Sequence, residues 1–185
     1  TLETVLRCDA VSSVSCSHSR SDEFSLLKTA FSQGVMVPEP LWLGRADILG
    51  RTFFVMRKAR GIAAGHRIVK DEKFGGTKDR LAENLGQELA KIHEITPPHD
   101  QLGFLPLPEV SAAQAGIAEF RSLLDQQPMP FPALEWGIRW LELNEPAQGE
   151  LTLVHRDFRT GNYMVDEKGL TAILDWEFTG WGNPL

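Results

Sequence analysis

The stretch LVHRDFRTGNYMVDEKGLTAILDWE, residues 153–177, determines how the whole chain is interpreted. It begins as a short apolar strand, and further along two β-type runs are separated by turn residues, which predicts a β-hairpin. Asp157 and Asn162 precede this hairpin, and Asp175 follows it directly. Because polar residues at the ends of paired strands come close together, we expect two carboxylates and one amide to meet at one end of a small sheet.

The spacing of these polar residues matches a known catalytic pattern. His155, Arg156 and Asp157, followed by Asn162, fit the kinase catalytic loop H-R-D-x-x-x-x-N at every fixed position. Phosphoryl transfer requires a positioned acceptor hydroxyl and a metal that neutralises phosphate charge. We therefore predict that Asp157 accepts the hydroxyl proton and that Asn162 and Asp175 bind Mg²⁺ through hard oxygen atoms. His155 is predicted to be structural and to fix the loop by hydrogen bonds.

The segment from residue 153 to the last residue resembles the catalytic and metal-binding segment of the aminoglycoside phosphotransferase and choline-kinase-like superfamily. Asp-Trp-Glu at residues 175–177 stands where protein kinases have Asp-Phe-Gly, which favours a small-molecule kinase. More narrowly, the chain is similar to the kinase-like domain attached to some acyl-CoA dehydrogenases, in which Arg-Thr-Gly-Asn and Leu-Asp-Trp-Glu recur. The resemblance implies an α+β, protein-kinase-like two-lobe fold. The expected parts are a partial N-terminal β-rich lobe and a mainly helical C-terminal lobe with a catalytic β-hairpin.

Residues 1–59 are predicted to form the partial N-terminal nucleotide-binding lobe and the hinge. Helical apolar spacing from Asp22 predicts a helix with Ser21 as its N-cap and Gly34 at its end. β-type runs predict a strand before this helix and further strands after it. The runs lie at residues 5–7, 35–37, 41–43 and 52–56, with a turn expected at residues 47–50.

Residues 60–185 are predicted to form the partial C-terminal catalytic lobe. The boundary is placed near Ala59 because residues 57–65 are polar and rich in small side chains, as expected for a hinge. Apolar residues from Leu81 to Ile95 recur at intervals of three and four, which predicts an amphipathic helix. Similar spacing predicts two more helices, at residues 111–126 and 132–144.

The resemblance also implies a nucleotide site in the N-terminal lobe. Glu23 looks like the helix carboxylate that pairs with a phosphate-contacting strand cation, and Arg7 stands where that cation, usually Lys, is expected. From the residues alone, Glu23 can equally be a first-turn acid favoured by the helix dipole, and Arg7 a solvated strand residue. Residues 53–61 resemble the strand and hinge whose backbone holds adenine, which assigns Arg57 and Ala59 to the nucleotide. The implied cofactors are ATP and Mg²⁺.

The predicted function is an ATP-dependent phosphotransferase that moves the γ-phosphate to a hydroxyl group of a small molecule. One alternative is a non-catalytic kinase-like module that binds a nucleotide or a partner. A second is a hydrolase that uses His155, Asp157 and Asp175 with a transition metal and water. A P-loop nucleotide binder is excluded because G-x-x-x-x-G-K-[ST] does not occur.

The resemblance implies a small-molecule hydroxyl acceptor as the partner, and composition argues against nucleic acid and membrane partners. The formal charge of -6 and the pI near 5.4 argue against nucleic acid, whose binding requires clustered Lys and Arg. No apolar stretch approaches the roughly 18 residues of a membrane span, which argues against a membrane partner. The two Cys have no metal-type spacing, so we expect reduced thiols and a cytoplasmic protein. The sequence carries no signal for an oligomeric state.

The ends of the chain predict a fragment truncated at both sides. Complete members of the family that this chain resembles have a glycine-rich hairpin before the strand at Val5. They also have several helices after a Gly-x-Pro turn. That turn reads Gly-Asn-Pro at residues 182–184, where the family usually has Gly-Asp-Pro. Since the lost phosphate cover would weaken positioning and charge neutralisation, we expect weak or absent turnover from this chain.

Overall fold

Three strands of the N-terminal part form one antiparallel sheet. They are β1 (Thr4–Cys8), β2 (Pro40–Gly44) and β3 (Phe53–Arg57), with β3 in the middle. These bounds come from a computed structural model, which describes residues 2–8, 17–71, 73–147 and 149–184. Phe54 of the central strand is buried and packs against Phe24, so the covered face of the sheet belongs to the main core.

Helix α1 (Arg20–Ser32) supplies the cover of this sheet through Leu26, Leu27 and Ala30. The prediction of Ser21 as the N-cap is wrong. Ser19 has an extended backbone, and its hydroxyl accepts a hydrogen bond from the Asp22 N–H, so the helix begins earlier.

Two of the local expectations after α1 are also corrected. Residues 47–50 do not form a simple turn, because a short helix, α2 (Ala46–Leu49), ends there at a left-handed Gly50. Residues 35–37 are not in a strand, although Val35 and Val37 are buried in the main core. Apolar character in this segment therefore reflects burial and not strand pairing.

The segment after β3 is attached to the C-terminal part by a β-bridge. Ile62 and Val165 exchange backbone hydrogen bonds of 2.8 and 2.9 Å. Gly61 approaches so closely that an added Cβ would overlap the carbonyl group of Val165, and its φ of 93° lies in the left-handed region. The division of the chain near Ala59 stays a prediction.

Helices dominate residues 65–143, as expected from the apolar spacing. They are α3 (Gly65–Lys70), α4 (Lys78–His93), α5 (Ala112–Asp125) and α6 (Pro132–Leu143), and a 3-10 turn lies at Asp100–Leu102. The predicted N-cap of α5 is confirmed, since the Ser111 hydroxyl accepts from the Gln114 N–H. Helix α3 was not predicted.

Two small antiparallel pairs complete the fold. Strand β4 (Thr152–Val154) pairs with β7 (Gly180–Gly182), and β5 (Tyr163–Val165) pairs with β6 (Leu170–Ile173). The β5–β6 pair is the predicted hairpin. Ile173 and Leu153 join the main core, while Val165 lies in a second buried cluster beneath α4.

Helices α5 and α6 lie outside both cores and present a broad apolar surface. Only Ile138 of these two helices is buried, whereas Phe120, Trp136 and Trp140 are more than half exposed. Between the helices runs an apolar groove of about 460 Å³. No helix in the described parts of the chain has the length and apolarity needed to cross a bilayer.

We predict that Gly61→Ala destabilises the protein by at least about 2 kcal/mol, because it adds left-handed strain and a clash with Val165. Thermal unfolding followed by circular dichroism measures the effect. Gly86→Ala is the matched control, since that position lies in α4 with open space around it and should be neutral or slightly stabilising. Equal melting temperatures for the Gly61 variant and the parent would contradict the prediction.

Candidate active site

The side chain of His155 connects the loop after β4 to the end of β6. Its Nε2 lies 2.9 Å from the carbonyl oxygen of Leu174, and its Nδ1 lies 3.4 Å from the backbone nitrogen of Asp157. Because the backbone N–H can only donate, Nδ1 accepts and a neutral ring donates from Nε2. The ring is 1% exposed and contacts Phe158 and Trp176. His155 therefore has the structural role predicted for it.

Burial lowers the pKa of His155 below its ordinary value of 6.5. The hydrogen bond to Leu174 and the negative charges of Asp157 and Asp175 act in the opposite direction, but burial is the largest cause. The neutral ring is thus the form that the folded protein stabilises.

The backbone of Leu174 makes a second hydrogen bond to the same loop. Its N–H donates to the carbonyl oxygen of Asn162 at 2.8 Å, so both polar groups of Leu174 are held by the loop. Asp175 follows with a φ of 67°, and Arg156 has a φ of 64°. Non-glycine residues in this left-handed region cost about 1–3 kcal/mol and persist where surrounding contacts fix them, often at functional sites.

Asp157 is oriented by two side chains of its own loop. The Asn162 amide nitrogen donates to Asp157 Oδ2 at 2.5 Å and to its backbone oxygen at 3.1 Å. Arg159 Nε donates to Oδ1 at 2.9 Å. Since the amide nitrogen of Asn162 faces Asp157, the amide oxygen is the atom that this side chain can offer to a metal.

Arg7 of β1 lies beside the Asp175 carboxylate at the other end of the site. Its Nη2 is 2.7 Å from Asp175 Oδ1, and its Nε is 2.8 Å from Glu23 Oε1 in the first turn of α1. The pairing of Arg7 with Glu23, implied by the family resemblance, is present. Glu177 Oε2 also lies 3.4 Å from Arg7 Nη2, so three carboxylates surround one guanidinium group.

Two members of this charged cluster were missed by the sequence interpretation. The buried Arg20 contacts Glu23 and lies 3.1 Å from Glu177. The available signals were weak: Arg20 precedes Glu23 by one helical turn, and Glu177 follows Asp175 by two residues. Burial raises the pKa of Glu23 above 4.5, although Arg7 and Arg20 lower it and Glu177 raises it further.

The predicted hinge residues Arg57 and Ala59 lie in a different groove from Arg7 and Asp175. Arg57 donates from its backbone N–H and from Nε to Glu39, at 2.8 and 2.6 Å. Both predicted hinge residues line a groove of about 610 Å³, whereas Arg7 and Asp175 line a separate cavity of about 70 Å³. The structure therefore brings Asp157 into contact with Asn162 and brings Arg7 into contact with the carboxylates of Glu23 and Asp175, without joining the hinge residues to either group.

The oxygen donors at this site fit magnesium better than a transition metal. Mg²⁺ is usually bound by one or two protein carboxylates together with water and phosphate oxygens. Asp175 and the Asn162 amide supply that kind of set. Within residues 2–8, 17–71, 73–147 and 149–184, no three His, Cys, Asp or Glu side chains are grouped as a metal site. The metal-dependent hydrolase alternative would require more nitrogen or carboxylate ligands.

Sequence comparison places most of the chain in one family. Residues 17–185 match the phosphotransferase enzyme family. Acyl-CoA dehydrogenase family member 10 of Mus musculus is 29% identical over 182 residues, which cover 91% of this chain and 16% of that protein. The chain thus spans less than a quarter of the length of this curated relative. The narrower resemblance to the acyl-CoA dehydrogenase-linked domain is confirmed.

Solved structures show the same fold. A Ralstonia eutropha protein, a candidate aminoglycoside phosphotransferase, aligns with a TM-score of 0.73 at 21% identity, covering 98% of this chain and 54% of that one. The aminoglycoside phosphotransferase APH(2")-IIa, solved in a ternary complex with streptomycin and ATP, aligns with a TM-score of 0.63 at 19% identity, covering 98% and 61%. The predicted α+β, protein-kinase-like fold is confirmed.

We predict that His155→Phe lowers stability at pH 7.5 by about 1–3 kcal/mol, because Leu174 loses its side-chain donor. The substitution should also flatten the pH dependence of unfolding. With a lowered folded-state pKa, His155 contributes stability that is full above pH 6.5 and declines as the pH falls below it. Urea titrations between pH 7.5 and 5 measure both effects.

The matched control for this pH dependence is His66→Gln, at an exposed position in α3. Burial also lowers the pKa of His93, so the informative quantity is the difference in slope between the variants and the parent. An unchanged slope in His155→Phe would show that this ring does not titrate differently in the folded and unfolded chains.

Proposed function

Since the chain belongs to the phosphotransferase enzyme family, we propose that it carries the catalytic site for ATP-dependent phosphoryl transfer to a hydroxyl group of a small molecule. One observation supports this proposal above the others. Both backbone groups of Leu174 are bonded to the loop of Asp157 and Asn162, and Asp175 is the next residue. A base, an amide and a carboxylate of the types that phosphoryl transfer requires are thereby held together.

Asp157 acts as the catalytic base in this proposal. The Asn162 amide and the Arg159 guanidinium each bind one of its carboxylate oxygens, which fixes the orientation of the group. Each carboxylate oxygen keeps further lone-pair capacity, so the acceptor hydroxyl can still donate its proton to Asp157.

Asp175 and the amide oxygen of Asn162 are the proposed protein ligands of Mg²⁺. When bound, this ion neutralises negative charge on the transferring phosphoryl group. Arg7 contributes a second positive charge for the nucleotide phosphates, and Glu23 holds its guanidinium on the strand side of the site. Preorganised charges of this kind act without reorganisation at the moment of transfer.

The hinge residues Arg57 and Ala59 are proposed to hold the adenine ring through their backbone. The N–H of Arg57 is bonded to Glu39, so Arg57 would contribute its carbonyl oxygen. ATP as the donor is supported by the solved complex of APH(2")-IIa with streptomycin and ATP. We also propose that the protein is cytoplasmic and that the whole parent protein has this phosphotransferase activity.

A non-catalytic nucleotide-binding module is the alternative, and the Arg159 contact is the observation that favours it. Arg159 Nε lies 2.9 Å from Asp157 Oδ1, so a guanidinium group covers one face of the proposed base. Such a module would require Asp175 and Arg7 but not a free Asp157 carboxylate. The two functions therefore differ in what Asp157 contributes.

We predict that Asp175→Ala abolishes Mg²⁺-dependent ATP binding, measured by calorimetric titration of this chain with ATP in excess Mg²⁺. The physical reason is the loss of the carboxylate that would hold the ion at the nucleotide phosphates. Asp47→Ala is the matched control, because that carboxylate is exposed and pairs only locally with Arg45 among the described residues. Binding that survives in Asp175→Ala would remove the proposed metal role.

We predict that Asp157→Asn keeps ATP binding within a few-fold of the parent but lowers phosphoryl transfer by about 10²–10⁴-fold. An asparagine can fill the same space but cannot accept the hydroxyl proton. Transfer is measured in the full-length protein, with a screen of hydroxyl-bearing acceptors. Transfer by the parent that persists at the same rate in Asp157→Asn would contradict the catalytic role, and binding without any transfer by the parent would favour the non-catalytic module.

A further inference from the structure

A closed ring of ion pairs links the N-terminal end of α1 to the loop that follows Asp175. Arg7 contacts the carboxylates of Glu23 and Glu177, and Arg20 contacts the same two carboxylates. Nη1 of Arg20 bonds to Glu23, while Nη2 lies 3.1 Å from Glu177, so one guanidinium group spans both. In this ion-pair ring of Arg7, Glu23, Arg20 and Glu177, each arginine contacts both glutamates.

The ion-pair ring is buried on one side and open on the other. The side chains of Arg20 and Glu23 are each 4% exposed, and charges so far from water are retained only with partners. The side chains of Glu177 and Arg7 are 20% and 30% exposed, and Arg7 reaches Asp175 from that open side. The buried pair therefore anchors the two residues that lie next to the proposed metal carboxylate.

Main-chain contacts reinforce the same connection. The backbone N–H of His18, just before α1, donates to the carbonyl oxygen of Glu177 at 2.8 Å. The His18 ring nitrogen Nε2 lies 2.6 Å from the carbonyl oxygen of Thr179, which is 1% exposed. The beginning of α1 and the loop after Asp175 are thus held together by backbone and side-chain contacts alike.

We propose that Arg20 and Glu177 are positioning residues for the phosphotransfer site, holding Arg7 and Asp175 where the nucleotide's metal and phosphates are bound. This inference rests on the proposed function. Neither residue is proposed to contact the reacting groups. Each acts instead through Arg7 or through the loop that carries Asp175.

The charges around Arg7 explain what the ion-pair ring contributes to the site. Among the described residues, the guanidinium groups of Arg7 and Arg20 face three carboxylates, those of Glu23, Asp175 and Glu177. If Asp175 were the sole partner of Arg7, a metal ion would have to compete with that guanidinium for the carboxylate. Glu23 and Glu177 keep Arg7 paired when Asp175 turns to a metal, and Arg20 keeps those two glutamates in place.

The identity of the cation at position 20 follows from the same geometry. Arginine presents separate nitrogens to two carboxylates in a rigid planar fork, whereas lysine has a single flexible ammonium group. Lysine at position 20 would keep the charge but could not hold Glu23 and Glu177 at their present separation.

The test is a calorimetric titration of the chain with ATP, in excess Mg²⁺ and again in EDTA. Glu177→Gln, which keeps the size of the side chain, should weaken ATP binding in Mg²⁺ on the order of tenfold. Arg20→Lys should weaken it by a smaller factor. The combined Arg20→Lys and Glu177→Gln variant should be close to Glu177→Gln alone, since both changes disrupt the same pair. Arg45→Gln, an exposed arginine paired with Asp47, is the matched control.

Binding in EDTA separates positioning from a general loss of structure. Positioning of Asp175 predicts that Glu177→Gln reduces affinity more in Mg²⁺ than in EDTA, because without metal only the contact of Glu177 with Arg7 is lost. An equal loss under both conditions, or no loss in Mg²⁺ while Asp175→Ala loses binding, would overturn the inference and leave the proposed function standing. Absence of Mg²⁺-dependent binding by the unsubstituted chain would overturn both.

Discussion

The geometry of the site depends on the hydrogen bonds made by the two peptide groups on either side of Leu174. The N–H of Leu174 donates to Asn162, and its carbonyl oxygen accepts from the buried His155 ring. Both partners belong to the loop that carries Asp157, so the end of β6 cannot shift unless this loop shifts with it. The left-handed backbone of Asp175 is held by the same arrangement. The relative position of the two carboxylates is therefore set by hydrogen bonds to the main chain between them.

Each of the two carboxylates proposed to act in phosphoryl transfer is paired with a guanidinium group in the structure. Arg159 lies on Asp157, and Arg7 lies on Asp175. Both pairs are only partly buried, so water can replace one partner when a ligand arrives. The site thus holds its charges in fixed directions without the full desolvation cost that closed, buried ion pairs carry. Such prearranged charges are what electrostatic catalysis requires.

The sequence could predict features formed by residues that lie close together along the chain. It could not predict contacts between residues that lie far apart along it. Asp157, Asn162 and Asp175 belong to one short pattern, and the β5–β6 hairpin and the long amphipathic helix α4 follow from local periodicity. The contact between Arg20 and Glu177 joins residues 157 positions apart, and no local pattern reports such a pair. Strand β7 has three residues, two of them glycine, so it lacks the β-branched alternation by which strands are recognised. Its pairing comes from tertiary contact with β4.

The apolar surface of α5 and α6 has a consequence for the behaviour of the chain in solution. Large exposed apolar surfaces favour association with other surfaces, and net charge opposes this by mutual repulsion. At neutral pH the chain carries a formal charge of -6, but near its pI of about 5.4 that repulsion vanishes while the apolar surface remains. Colloidal stability is therefore lowest in mildly acidic buffers. Light scattering is the natural companion to any acid titration of this molecule, since turbidity would otherwise be mistaken for unfolding.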